Sequence, residues 1–221
     1  ENLTFLNKKL KISKKKLVKI YNGVLINSKN KTIQNKNNIF TVGMAGRLNN
    51  TKHFDILIDS IQSILNKNIK IKCLIAGEGE NEDQLKKKVI KKNKSKIIFC
   101  GLLDQIKLED WYKKLDLYVQ ASKGEAMSIS ILQAMFMKIP VMGSNVNGIK
   151  NLKYPNSRDS TLFLNKAYDL ENKIINFINK KEKEKQNIIN RQLDYVNKNF
   201  TEEKMIFKYN YIYNLLFKQI R

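Results

Sequence analysis

Short, nearly continuous apolar runs alternate with segments of helical period along most of this chain, and that alternation limits its fold more than any other feature. The runs are Ile39–Ala45, Ile69–Ala76, Lys96–Cys100, Leu117–Gln120 and Pro140–Ser144, with a sixth near Thr161–Leu164. Strands that are apolar at consecutive positions suit a sheet covered on both faces. Between the first two runs, Phe54, Leu57, Ile58, Ile61, Ile64 and Leu65 recur at the spacing of one helix face, from about Lys52 to Asn66. Further helices are expected over residues 80–93, Leu108–Leu115 and Ser128–Met137, and three more near 168–180, 183–198 and 202–219. Elements in this order form right-handed βαβ crossovers and a parallel sheet. The expected fold is therefore α/β, with about six parallel strands flanked by helices. In such sheets ligands sit at the carboxyl ends of the strands, where loops meet helix N-termini.

Composition narrows the function classes. A hydrophobic content of 42% is enough for a core. No stretch approaches the roughly 18–20 apolar residues of a membrane span. Cys73 and Cys100 both lie in apolar strand-like runs, so they read as a reduced, buried pair of small hydrophobes. Two cysteines and the single His53 do not make a zinc site, and no metal is expected. The formal charge of +22 has two open readings. One is a compositional habit, since lysine and asparagine fill even the turns. The other is attraction to an anionic membrane surface. No RNA-recognition aromatic motif, helix-turn-helix signature or Cys/His finger accompanies the charge, so nucleic acid is not expected as a partner.

The residues with chemical promise gather at the expected carboxyl ends. Gly46 closes the first strand, and Arg47 and Lys52 follow in the same loop. A glycine admits close approach of a ligand to the backbone, and two cations on one loop can neutralise a departing diphosphate. A strand-to-loop turn with two solvated cations would read the same way. Gly77-Glu78-Gly79 reads as a tight turn needing positive φ, with no role for Glu78. Glu125 lies in a polar loop, and Ser128 is a good N-cap for the next helix. That start would leave the N–H groups of Ile129 and Ser130 for a phosphate. Gln133 comes eight residues after Glu125, two turns into the helix, from where its side chain can turn back toward the loop.

The words Gly46-Arg47-Leu48…Lys52, Gly77-Glu78-Gly79, Phe99-Cys100-Gly101, Ser122-Lys123-Gly124-Glu125-Ala126-Met127-Ser128 and Leu132-Gln133-Ala134-Met135…Ile139-Pro140-Val141 run in a telling order and spacing. Together they resemble the C-terminal lobe of retaining glycosyltransferases of the GT-B fold, family 4, often called group 1. The resemblance implies half of a GT-B fold, a single Rossmann-like lobe. It implies that Arg47 and Lys52 grip a nucleotide diphosphate, that Glu125 contacts the donor sugar, and that residue 133 contacts the ribose. Leu102 and Leu103 become neighbours of the base. The family pattern is Glu, seven residues, Glu; here the second is Gln133, which keeps an amide for two hydroxyls but lacks the charge. His53 stands where the family commonly has glycine and is given no catalytic role. Asp116 reads as a capping or turn residue, and Gly143, Asn147 and Gly148 as structural.

By the same resemblance the substrate is a nucleotide-sugar donor, a UDP-sugar above others, with no cofactor. Acceptors would be glycans or lipid-linked hydroxyls, reached through an N-terminal lobe that precedes this chain. The implied setting is bacterial surface-glycan assembly (lipopolysaccharide or capsule), cytoplasmic, at the inner face of the membrane. Residues 1–24 are expected to be a linker and entry strand, with Lys15–Val24 as the strand. Residues 25–200 would be the nucleotide-sugar domain, with 25–38 a loop or hairpin. Residues 201–221 would be a helix bracing the missing lobe, leaving Ile206, Tyr209, Ile212, Tyr213 and Leu216 partly uncovered and open to self-association. The alternative is an inactive nucleotide- or polyanion-binding module built on the same fold.

Overall fold

A computed structural model describes residues 2–24, 39–150 and 161–220. The chain divides into two compact units: Ile26–Asn197, and Glu1–Leu25 together with Lys198–Arg221.

The larger unit holds a six-stranded parallel sheet in the order β3-β2-β1-β4-β5-β6. Its strands are β1 (Phe40–Ala45), β2 (Ile71–Ala76), β3 (Ile97–Phe99), β4 (Leu117–Gln120), β5 (Val141–Ser144) and β6 (Leu162–Phe163). The order reverses beside β1, so the β1 and β4 loops flank the switch point where α/β sheets bind ligands. The expected α/β fold and all six strands are found.

Side-chain alternation explains both layers. Val42 and Met44 of β1, with Cys73 and Ile75 of β2 and Leu117 and Val119 of β4, enter one core cluster. Above it lies α2 (Phe54–Asn66), whose Phe54, Leu57, Ile58, Ile61 and Ile64 are buried. Beside α2 lies α6 (Ala167–Ile178), tied by the Ser60 hydroxyl to the Ala167 carbonyl at 2.8 Å. On the other face of β1, Gly43 leaves room for Leu115 and Trp111. A β-carbon there would stand 2.5 Å from the Leu115 side chain. The start of β1 is held to β4 by the Asp116 carboxylate, which accepts the Thr41 N–H at 2.7 Å, the turn role expected of Asp116. Burial raises the thiol pKa of Cys73 well above its usual range, and both cysteines are free.

Two helix boundaries depart from expectation. The helix expected over residues 80–93 ends early: α3 is Glu82–Lys88, followed by extended Val89 and a 3₁₀ turn at Lys91–Asn93. Val89 leaves the helix to enter the core, and the Gln62 side chain accepts the Ile90 N–H at 2.8 Å. The helix expected from Leu108 starts earlier, as α4 (Gln105–Tyr112), because Asp104 caps it by accepting the Lys107 N–H at 2.8 Å. The later helices are α5 (Ile129–Phe136), α7 (Glu182–Asn199) and α8 (Glu202–Ile220).

The smaller unit corrects one expectation. Lys15–Val24 is not a strand: Lys14–Lys16 is a 3₁₀ turn, and only Val24 makes a bridge, to Thr201. The chain instead packs by side chains, Tyr21 edge-on to Phe200 with centroids 5.2 Å apart. Gly23 fits where a β-carbon would lie 2.5 Å from the Glu202 Cα. An unexpected helix, α1 (Asn2–Lys8), opens the unit. On α8, Ile206, Tyr209, Tyr213 and Leu216 are exposed and Ile212 half-buried, the uncovered surface expected there. The hairpin or loop expected at 25–38 lies outside the described residues. Among the described residues no helix is long and apolar enough to cross a membrane.

Candidate active site

Backbone geometry brings four loops together at the carboxyl edge of the sheet. The ladder continues past the strands: Gly46 N–H donates to the Ala76 carbonyl at 3.0 Å, and Gly77 N–H to Gly101 at 2.8 Å. Gly77, at φ +126°, leaves no room for a side chain, since a β-carbon would sit 2.0 Å from the Gly46 carbonyl oxygen. The positive φ expected of this turn is therefore enforced by the neighbouring loop. Asn49 shapes the β1 loop by accepting the Thr51 and Lys52 N–H groups, each at 3.1 Å. The Lys123 N–H then donates to the Thr51 carbonyl at 2.8 Å, joining the β1 and β4 loops next to Lys52.

That junction sets Lys52 against Glu125. The Lys52 Nζ lies 2.5 Å from Glu125 Oε1, with side-chain exposures of 25% and 11%. The same oxygen accepts the Ser122 hydroxyl at 2.7 Å and the Gln120 amide at 3.3 Å. Behind them Gln120 accepts the Tyr118 hydroxyl at 2.7 Å and the Ser128 hydroxyl at 3.4 Å. The backbone is fixed too. The Ser144 hydroxyl donates to the Ser122 carbonyl at 2.5 Å, and the Glu125 N–H to the Asn147 carbonyl at 3.3 Å. Gly148, at φ +86°, passes so close that a β-carbon would lie 1.7 Å from the Glu125 carbonyl oxygen.

Ser128 caps α5 by accepting the Ile131 N–H at 3.4 Å. The Ile129 and Ser130 N–H groups fall in the first turn, where a helix has no internal partner for them. The start of α5 therefore adjoins the Lys52–Glu125 pair, linked to it by Gln120.

Other expected residues stand apart from that pair. Arg47, on the Lys52 loop, turns to Glu80 of the β2 loop, its Nε 3.2 Å from Glu80 Oε2. Both side chains are mostly exposed. Gln133 does not turn back to Glu125. Its amide oxygen faces the Tyr112 hydroxyl at 3.4 Å, in a shallow recess with Gln105, Leu108, Glu109 and Met137. Leu102 is exposed at the end of β3, its N–H donating to Glu78 Oε1 at 3.3 Å, and Leu103 is half-buried. Glu78, given no role from sequence, thus joins the β2 and β3 loops. Beside Gly46 a β-carbon would meet only the Lys52 side chain, at 3.7 Å.

His53 is the N-cap of α2 and adopts φ +53°, ψ +46°. That left-handed conformation costs a residue with a β-carbon about 1–2 kcal/mol. It gives a physical reason for a glycine at this position. Its ring makes no cap bond, and Nδ1 lies 3.3 Å from Asp55 Oδ1. Among the described residues no three His, Cys, Asp or Glu side chains gather to hold a metal ion.

Sequence reasoning overlooked Gln120, Tyr118 and Asn49. A clue was present for Gln120: a polar residue ending the apolar run Leu-Tyr-Val-Gln must find buried partners.

Likeness to known proteins places the chain in a family. Residues 39–180 match the family described as "Glycosyl transferases group 1", and the chain belongs to that family. A lipopolysaccharide core biosynthesis mannosyltransferase of Rhizobium meliloti (strain 1021) is 28% identical over 129 residues, covering 56% of this chain and 36% of the relative. A glycosyltransferase structure from Rickettsia africae ESF-5 superposes with a TM-score of 0.83 at 21% identity, covering 98% of this chain and 62% of that one. An Anabaena protein, HepE, crystallised with UDP and glucose, gives a TM-score of 0.70 at 19% identity, covering 80% and 48%. The likeness to these two structures is one of fold. The chain spans between about a third and two thirds of the length of these proteins.

Proposed function

We propose that this chain binds the donor of a retaining, metal-independent glycosyltransferase: a nucleotide-diphosphate sugar, with UDP as the carrier. The observation that carries the reading is the Lys52–Glu125 pair at the switch point of the sheet, beside the capped start of α5. A cation, a carboxylate and unpaired helix amides suit a diphosphate joined to a sugar. In this reading Lys52 and the Ile129 and Ser130 amides hold the diphosphate, and Arg47 joins them after leaving Glu80. The β-phosphate gains negative charge as the sugar departs, and fixed cations stabilise that charge in the transition state. Glu125 meets the sugar, and the backbone near Leu102 and Leu103 meets the base. Gln133 would reach the ribose only by leaving Tyr112.

UDP is favoured by the Anabaena neighbour crystallised with UDP and glucose. The Rhizobium relative's role in lipopolysaccharide core biosynthesis favours bacterial surface-glycan assembly. In that setting the acceptor is a glycan or lipid-linked hydroxyl brought by a second lobe. The chain would work in the cytoplasm, its positive charge favouring peripheral contact with the anionic inner face of the membrane. The uncovered apolar side chains of α8 are the surface for self-association or for that second lobe.

Calorimetry with UDP, GDP and ADP tests this reading on the chain alone. UDP is expected to bind with a Kd below millimolar, and GDP and ADP more weakly. No binding of any of the three at millimolar concentration would remove the donor-site assignment.

A further inference from the structure

Glu125 uses its two oxygens unequally. Oε1 takes three donors: Lys52 Nζ at 2.5 Å, the Ser122 hydroxyl at 2.7 Å and Gln120 Nε2 at 3.3 Å. Oε2 takes no hydrogen bond among the described residues. A carboxylate accepts about four hydrogen bonds over two oxygens. The described residues saturate one oxygen and leave the other with its acceptor capacity unused.

Gln120 decides this asymmetry. Its side chain is buried at 1% exposure, so each of its polar atoms needs a partner. Its amide points one way for a chemical reason. With the amide reversed, its oxygen would face Glu125 Oε1, acceptor against acceptor, and would draw the Ser122 hydrogen away from Glu125. The Tyr118 hydroxyl favours the same choice from the other end, since Gln120 Oε1 at 2.7 Å is a nearer acceptor for its one proton than the Ala45 carbonyl at 3.2 Å. Tyr118 is fully buried, and burial raises its pKa well above the ordinary phenol range, so it stays a donor at neutral pH. Gln120 Nε2 then donates to Ser122 Oγ at 2.7 Å, which turns the serine hydrogen onto Glu125. The bonds run in one direction, from Tyr118 through Gln120 and Ser122 to Glu125. The Ser128 hydroxyl also reaches Gln120 Oε1, but at 3.4 Å the bond is weak, and the cap of α5 does not depend on it.

We propose that Gln120, oriented from below by Tyr118, is the positioning residue that saturates Glu125 Oε1 and presents Oε2 to a hydroxyl of the donor sugar. The proposal rests on the donor-binding reading above and adds what sets the geometry of its sugar contact. Gln120 itself touches neither sugar nor phosphate, so its loss acts through Glu125.

The test compares each nucleotide sugar with its own diphosphate: UDP-glucose and UDP-N-acetylglucosamine against UDP, and GDP-mannose against GDP. Titrations use wild type, Gln120→Leu and Tyr118→Phe; the second keeps the ring packing against Trp111 and Tyr112. Wild type is expected to favour at least one nucleotide sugar over its diphosphate. A misaimed charged hydrogen bond should shrink that preference about five- to tenfold in both variants. The diphosphate affinity should stay within about twofold, a split that general loosening of the loop would not produce. Equal loss of both affinities, or an unchanged preference, overturns the positioning role and leaves the donor site standing. A wild type that binds a diphosphate but never prefers its sugar form also overturns it. Failure to bind any nucleotide removes the donor site and this proposal together. A crystal structure of Gln120→Leu should show the Glu125 carboxylate rotated away from its wild-type position; an unmoved carboxylate overturns the proposal independently of any ligand.

Discussion

Two ion pairs stand on neighbouring loops at the carboxyl edge of the sheet, and they differ in everything except charge. Lys52 and Glu125 are mostly buried, 2.5 Å apart, with a serine and an amide on the same oxygen and a glycine wedged behind the backbone. Arg47 and Glu80 are 3.2 Å apart and mostly in solvent. Glu80 has its carboxyl pKa lowered by its own backbone first and Arg47 only after that. The first pair is enforced by its surroundings, because a buried charge without its partner is costly. The second is a contact of convenience, of a kind worth little because water competes for both ions. The same residue types at one sheet edge thus yield a built site and a loose one, and burial decides which.

The largest effect should come from the glycine that supports the built pair. Gly148→Ala would push a β-carbon against the Glu125 carbonyl oxygen and hold alanine at a φ it rarely adopts. The loop must move, at a cost of at least about 3 kcal/mol. For a chain of this size the melting temperature should fall by roughly 6–12 °C. Thermal unfolding of the variant checks this, and a fall of less than about 2 °C would show that the loop is soft and the pair not enforced.

Next comes the cation. Lys52→Met leaves the Glu125 carboxylate mostly buried without its counter-ion, which should cost about 2 kcal/mol, discounted from the value for a fully buried pair. Adding Glu125→Gln should recover more than half of that loss, because the stranded charge is gone. Urea unfolding of the two variants measures the coupling. If Lys52→Met is as stable as wild type, the pair belongs with Arg47 and Glu80 after all.

What could be read from sequence divides along the same line. The sheet was legible because its strands are apolar on both faces, and β1 and β2 need no partner beyond each other to declare themselves. Lys52, Glu125 and Ser128 are expected in one cleft from their places at the strand ends together with the family resemblance, and the fold does gather them. Arg47 was assigned to the same cleft but lies on Glu80, since a long exposed side chain takes whichever carboxylate is within reach. Gln133 is expected to turn toward the loop, yet its amide faces Tyr112, twenty-one residues earlier, whose hydroxyl also reaches the Ser130 carbonyl. Neither partner is a neighbour in sequence, so no local pattern announces them. Lys15–Val24 fails as a strand for a related reason: among its residues only Val24 finds a bridge partner, Thr201, far along the chain. Gln120 was the readable residue left unread, a polar end to a buried strand.

The smallest effect belongs to the loose pair. Glu80→Ala removes a carboxylate that is 54% exposed, so the melting temperature should match that of wild type. Its consequence should instead appear in binding. Arg47 would be released from its only ion pair among the described residues, and the edge would lose one negative charge. Under the donor-binding reading, UDP affinity should hold or rise by up to about threefold at low salt, and the gain should fade as salt screens it. A Glu80→Ala chain that melts clearly below wild type would mean that exposure has misjudged this pair. It would then erase the distinction between the two pairs from the other side.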